Sequence, residues 1–503
     1  MEDKTTKEEQ IKVADPEILR NSEIRNGRFI RYYGKKSEIV IPDGVAAIAE
    51  EAFAGNTHLT RVTVSPCVTV IHPRAFRGCV NLRQVSFSSG LREIGEGAFE
   101  GCTSLSSLLL PRTVVSLDDE AFRGCTALHH VVLSANINHL GRYVFSGCEA
   151  LEEITLPDAI TAIHRGTFFN CRSLKQITVP GGVRAIGRYA FARCSSLETV
   201  NLPANTQYIG IGTFSECTRL CAITLPSAIR FIGDYTFSCC ESLETLELPS
   251  FLNYIGNAAF CACKKLKNVQ LPDRITRIGH SAFLGCASLD EITIPAEVED
   301  VASRAFAYCA ALRRVEYKAS LTEIEDTMFA GCFALEEIRM PETVEKIEKN
   351  AFSDCISLRS VTFSPRLALI EHHAFAGCIK LEALSLPSSL KKIEQGAFAR
   401  CSSLETVILP DSRVKLGKGI FSDCESLETL VITEGETLLR ARRALLGLPA
   451  DTQIITHADL ERASLLAELA DPATPDERRA ELCDLLGLEK ASRVAKKGDN
   501  EEV

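Results

Sequence analysis

Apolar positions recur along this chain with a period of 23 residues. Phe marks the period at 53, 76, 99, 122, 145, 168, 191, 214, 237, 260, 283, 306, 329, 352, 375, 398 and 421, seventeen copies without an insertion. Three residues after the Phe stands Cys, from Cys79 through Cys424, except in the first copy, which has Asn56. Six after it stands Leu in every copy, from Leu59 to Leu427. The ninth and eleventh residues are almost always aliphatic, as in Ile177 and Val179 or Val269 and Leu271, and this alternation predicts a strand. Eleven copies then carry Pro, such as Pro157, Pro226 and Pro295, which lacks an N–H and ends the strand early. A further apolar pair follows fifteen and eighteen after the Phe, as in Ile275 and Ile278, with Gly279 at a turn. Phe, Cys and Leu at three-residue steps predict one short helical or 3₁₀ turn.

A unit of this size has too little interior to bury its own apolar face, so neighbouring copies must stack into a continuous core. At about 4.8 Å per strand, the seventeen copies would extend roughly 80 Å. The Leu-x-x-Leu-x-Leu core of each copy resembles leucine-rich repeats. The fuller pattern, LEEITLPDAITAIHRGTFFNC at 151–171 or LDEITIPAEVEDVASRAFAYC at 289–309, is similar to the BspA-like subclass also seen in treponemal repeat proteins. The resemblance covers about 22–435. It implies an α/β repeat fold, a solenoid with a parallel β-sheet on the concave face and short strands and helical turns elsewhere. It also implies a protein-binding or adhesive scaffold without enzyme activity.

The expected organisation is a mobile N-terminal tail (1–21), an N-terminal capping repeat (22–52), the seventeen-copy solenoid (53–435), a helical C-terminal cap (436–487) and a charged tail (488–503). In the capping repeat Ile39, Ile41, Pro42, Val45 and Ile48 are in phase, and Ile30 stands where later copies have Phe. Past Ile432 the phase fades. Leu438, Ala441, Leu445 and Leu448 have helical spacing, Ile454 and Ile455 predict a short strand, and Leu460, Leu466 and Leu469 predict a second helix. Thr474-Pro475-Asp476-Glu477 is a capping box that predicts a third. A cap is required because the last repeat would otherwise expose its apolar face.

Hydrophobic residues make up 46% of the chain and charged residues 24%, the balance of a folded protein and not of a disordered one. The formal net charge of −10 argues against nucleic acid and suits a basic partner better. No stretch has the length and apolarity of a membrane span, and the first twenty residues have no apolar core of a secretory signal. A cytoplasmic, monomeric protein is expected, or a cell-surface adhesin or antigen if the start is truncated. The 21 cysteines then read as reduced thiols.

No triad, phosphate-binding glycine loop or His-Glu-x-x-His motif occurs, so no catalytic residue, cofactor or metal is expected. The cysteine column reads as core, because Cys packs as a small hydrophobe. Cys221, Cys239 and Cys261 are extra thiols outside it, with a disulfide or shared soft metal as the sharper reading. Glu325, Glu348, Glu371 and Glu394 fall at one phase, with Lys346, Lys349 and Lys392 at hand for salt bridges in place of a hard cation. Arg440, Arg442 and Arg443 read as a solvated helix face.

Candidate partner-binding residues come from surface phases. Seventeen after the Phe, three consecutive copies carry Tyr208, Phe231 and Tyr254 where later ones carry Arg277, Asp300, Glu323 and Lys346. Stacked aromatics on a polar face are the anchors that interfaces use; the plainer reading is cover for the core edge. On the strand face, Leu109 and Val132 beside Ser107 and His130 make one apolar spot, and Ile408 with Val431 makes another expected to pack under the cap.

Overall fold

The computed structural model describes residues 15–410, 413–432 and 442–470, together with positions 475, 478, 481, 482 and 485. The chain divides into two compact units, Met1–Ala319 and Ser320–Val503. Each is a parallel β-solenoid with little helix.

In the first unit a repeat contributes up to two strands. Gln84–Ser86 covers the eighth to tenth residues after Phe76, with Val85 buried between exposed Gln84 and Ser86. A second strand of two residues, Glu93–Ile94, follows with Ile94 inward. Because the period never varies, each residue pairs with the one 23 positions on, as in Arg61 with Gln84 and Val70 with Glu93. Two sets of parallel ladders result. Short strands outside the main sheet were expected, but not where they fall, since two residues are too few to display an alternation. Its first sheet has seven strands and begins at a hairpin, Ser22–Arg25 with Arg28–Tyr32, turned by Asn26 and Gly27 at φ 50° and 71°. Asn-Gly is the favoured pair for such a turn because both residues tolerate positive φ.

The phenylalanines form a column of parallel rings. In this unit successive centroids from Phe53 to Phe306 lie 4.8–5.9 Å apart, with interplanar angles of 2–14°. The column begins at Phe29, whose ring lies 4.9 Å from that of Phe53, so Phe29 and not Ile30 takes the terminal place. Residues 16–20, expected to belong to a mobile tail, form a short helix, Pro16–Arg20, capped by the Asp15 carboxylate.

In the second unit the short strands make a five-stranded sheet from Glu323–Ile324 to Lys415–Leu416. The longer strands end in a four-stranded sheet whose last member, Gln453–Thr456, pairs parallel with Thr429–Ile432. Helices Arg443–Leu446 and His457–Ala470 flank that strand, and the second packs on it. The expected strand at Ile454 and Ile455 and the helix through Leu460 and Leu466 are thus present. Leu438, Ala441, Arg440 and all of the 474–477 capping box except Pro475 lie outside the described residues.

The expected helical turn around each Phe is instead a chain of separate turns. Cys79 N–H donates to the Phe76 carbonyl at 3.1 Å and Leu82 N–H to the Cys79 carbonyl at 3.0 Å, but Gly78 between them has φ 70°. A left-handed residue recurs at this place in every copy and again two residues before each Phe, many of them not glycine: Tyr189, Arg193, Cys239 and Tyr308 have φ between 56° and 64°. Right-handed helix cannot continue through such residues. Within a unit their N–H groups commonly bond the next copy instead, as Arg193 N–H does with the Ser215 carbonyl at 2.8 Å.

Candidate interaction surfaces

Tyr208, Phe231 and Tyr254 stand on consecutive short strands of the first unit, each next to a buried isoleucine that turns the other way. Tyr208 is 36% exposed, and the other two are half-buried. The rings of Tyr208 and Phe231 meet edge to face at 5.8 Å. Phe231 pairs with Tyr254, and Tyr254 with Arg277, whose guanidinium lies 6.0 Å from the tyrosine ring. Burial and the nearby Asp234 carboxylate push the Tyr254 phenol up from its ordinary range, so it stays protonated at neutral pH.

Leu109 and Val132 sit side by side on paired long strands at 56% and 46% exposure, with exposed His130 across from Ser107. The next copy has no strand at 153–155. An open depression of about 560 Å³ lies there, lined by His130, Val132, Glu153, Gln176 and Thr178 among others. In the second unit Val431 is fully buried between Ile408 and Ile455, its neighbours on the two flanking strands.

The cysteine column is core. From Cys79 to Cys309 each thiol of the column donates to the carbonyl of the Phe 26 residues earlier, at 3.2 Å for Cys102 to Phe76 and for Cys194 to Phe168. That carbonyl also accepts the N–H of its own copy's Cys, so the thiol satisfies a second lone pair in an apolar slot. Burial pushes the thiols of Cys125, Cys194, Cys309 and Cys355 up to about 12. In the first copy Asn56 accepts the N–H groups of His58 and Leu59 instead. Cys239 and Cys261 are half-buried free thiols joined through the backbone, Cys239 N–H to the Cys261 carbonyl at 2.7 Å, while Cys221 is exposed.

The glutamates of the second unit are salt-bridged. Lys346 Nζ lies 2.6 Å from Glu348 and 3.2 Å from Glu371, and Glu394 bonds Lys392 and His372. Lys346 is held above its ordinary range chiefly by the Glu348 contact. Lys349 reaches Asp326. Arg443, read as part of a solvated face, bonds the carbonyls of Ala450 and Thr452. Among the described residues no group of three His, Cys, Asp or Glu is placed to hold a metal, and no helix is long and apolar enough to cross a membrane.

No curated protein sequence matches this chain. Among solved structures, it is similar to a leucine-rich repeat protein from Bacteroides ovatus at 25% identity, covering 86% of this chain and 94% of that one, with a TM-score of 0.49. A leucine-rich cell surface protein from Faecalibacterium prausnitzii matches at 22% identity over 84% and 94% of the chains, with a TM-score of 0.38. The leucine-rich repeat protein of Treponema pallidum matches at 24% over 51% and 92%, with a TM-score of 0.24. The family model described as the BspA type leucine rich repeat region matches residues 22–152, 139–265, 185–313, 230–357 and 322–441. These ranges overlap from 22 to 441, and the chain therefore belongs to the BspA-type leucine-rich-repeat family.

Proposed function

We propose that this chain is a non-enzymatic protein-binding scaffold whose principal anchor is the aromatic column Tyr208, Phe231 and Tyr254. The observation that carries this reading is their placement: three large rings on consecutive strands, side chains outward, with rings in contact at one end and an arginine at the other. Rigid aromatics that are already packed lose little freedom on binding, and interface hot spots favour Tyr and Arg. Leu109, Val132 and His130 form a second contact on the long-strand face, taken as the concave one. The segments 22–52 and 436–487 serve as caps, a reading supported by Phe29 over Phe53 and by the strand Gln453–Thr456 beside Val431.

The experiment uses the intact chain as bait in lysate of its source cell, beside a Tyr208→Ala/Phe231→Ala/Tyr254→Ala variant with an unchanged melting temperature. A partner retained by the first and lost by the second supports the scaffold and its anchor. Equal retention by both removes the column as the site.

A further inference from the structure

One face of the first unit has a charge opposite to that of the chain. Arg142, Arg165 and Arg188 occupy the same place in three consecutive copies, all exposed, and exposed Arg184 precedes Arg188 across the short strand Ala185–Ile186. The backbone holds them in register: Tyr143 N–H donates to the Arg165 carbonyl at 2.9 Å, and Gly166 N–H to the Arg188 carbonyl at 3.0 Å. None of the four has a carboxylate within ion-pairing distance among the described residues. Other arginines of this unit do, as Arg77 does with Glu100, Arg193 with Glu216 and Arg219 with Glu198. Segments 136–146, 159–169 and 182–192, which build this face, contain no Asp or Glu, in a chain with 66 acidic residues.

Like charges one turn apart repel; the Arg165 guanidinium lies 5.7 Å from the Tyr143 ring and Asp119 Oδ1 accepts the Arg142 N–H at 2.6 Å, but no ion pair among the described residues neutralises the ladder. The rings three residues after the arginines, Phe145, Phe168 and Phe191, are spaced 5.8 and 5.5 Å apart, the step between these copies. Same-face residues of an extended peptide repeat at about 7 Å, close enough for flexible arginines to engage alternate acidic side chains. The face is short, with Asp118, Asp119 and Glu120 in the copy before it and Asp234 beyond it. A long polyanion would meet those carboxylates, whereas a segment of a few residues would not. His164, beside His139, is held below its ordinary range by burial and by that neighbour, so the arginines supply the charge at neutral pH.

We infer that Arg142, Arg165 and Arg188, with Arg184, form a docking site for a short acidic segment of a partner protein, bound in extended form along the arginine ladder. This site shares no side chain with the aromatic column, which it adjoins at Arg184, whose carbonyl accepts the Tyr208 N–H at 3.3 Å; its test changes Arg142, Arg165 and Arg188 and leaves Arg184 in place. Its test therefore stands or falls apart from that proposal.

The probe is fluorescein-labelled octaglutamate, followed by polarisation at neutral pH. Compared with the native chain are Arg142→Gln/Arg165→Gln/Arg188→Gln and a control with the same change in net charge, Arg77→Gln/Arg193→Gln/Arg219→Gln. The expected result is saturable binding to the native chain, weakened about tenfold or more by the first triple and little by the second. Affinity should fall steeply between about 50 and 200 mM salt. Absence of saturable binding, or equal weakening by the two triples, would overturn the proposal. So would an oligothymidylate of equal charge that binds more tightly than the peptide and is lost in the first triple, since the site would then serve nucleic acid.

Discussion

At Cys194 the thiol is fully buried, and its S–H bonds a carbonyl that already has one partner. Cys194→Ala should therefore cost only about 1 kcal/mol in chemical denaturation, whereas Phe237→Ala, which opens the ring column, should cost about 3–5 kcal/mol. Tyr208→Ala should leave stability nearly unchanged; a loss as large as that at Phe237 would make the aromatic column structural. Tyr308, exposed and left-handed at φ 59°, carries strain that Gly lacks. Tyr308→Gly should thus raise stability by about 1 kcal/mol in the same assay. The Phe, Cys and Leu columns were legible because each must fill the same slot in every copy. The left-handed positions were not: they accept Gly, Tyr, Arg, Glu, Cys and Ala alike, since what fixes them is a backbone bond to the next copy and not a side chain.

The repeated strand and the C-terminal strand and helix announced themselves, whereas the helix Pro16–Arg20 and the hairpin after it did not. The strand at the ninth residue was readable from its alternation and its proline, while pairs such as Tyr208–Ile209 became strands only by stacking. This is why the candidate aromatics could be placed on one surface column but not on a sheet. The missing strand at 153–155 left no trace either, because Ile154 and Leu156 keep the usual apolar pattern. Between elements the copies approach closely. A Cβ built on Gly187 would lie 2.6 Å from the Arg165 nitrogen, a backbone atom with no room to move. Gly187→Ala should separate adjacent copies and cost about 1–3 kcal/mol by thermal melt; no change would show that the stack yields at this turn. The arginine face escaped notice for a different reason: net charge is a property of the whole chain and hides a local reversal.

For the molecule as a whole, a column of buried thiols makes stability depend on alkali. With Cys125, Cys194, Cys309 and Cys355 raised from 9.0 to about 12, the folded state holds their protons more tightly than the unfolded state does. Their contribution is full below pH 9 and is lost as pH climbs from 9 toward 12, so alkaline unfolding is expected in that window. Circular dichroism against pH checks this, and a flat signal to pH 12 would contradict it. The central claim remains that the surface of this solenoid, and not its interior, carries function. Hydroxyl-radical footprinting of the chain with and without its captured partner tests it most directly. The account predicts that oxidation of Tyr208, Phe231 and Tyr254 falls on binding while exposed aromatics of more distant copies, such as Tyr33, Tyr308 and Phe333, stay as reactive as before. Unchanged oxidation of the three, with protection confined to other residues, would contradict it.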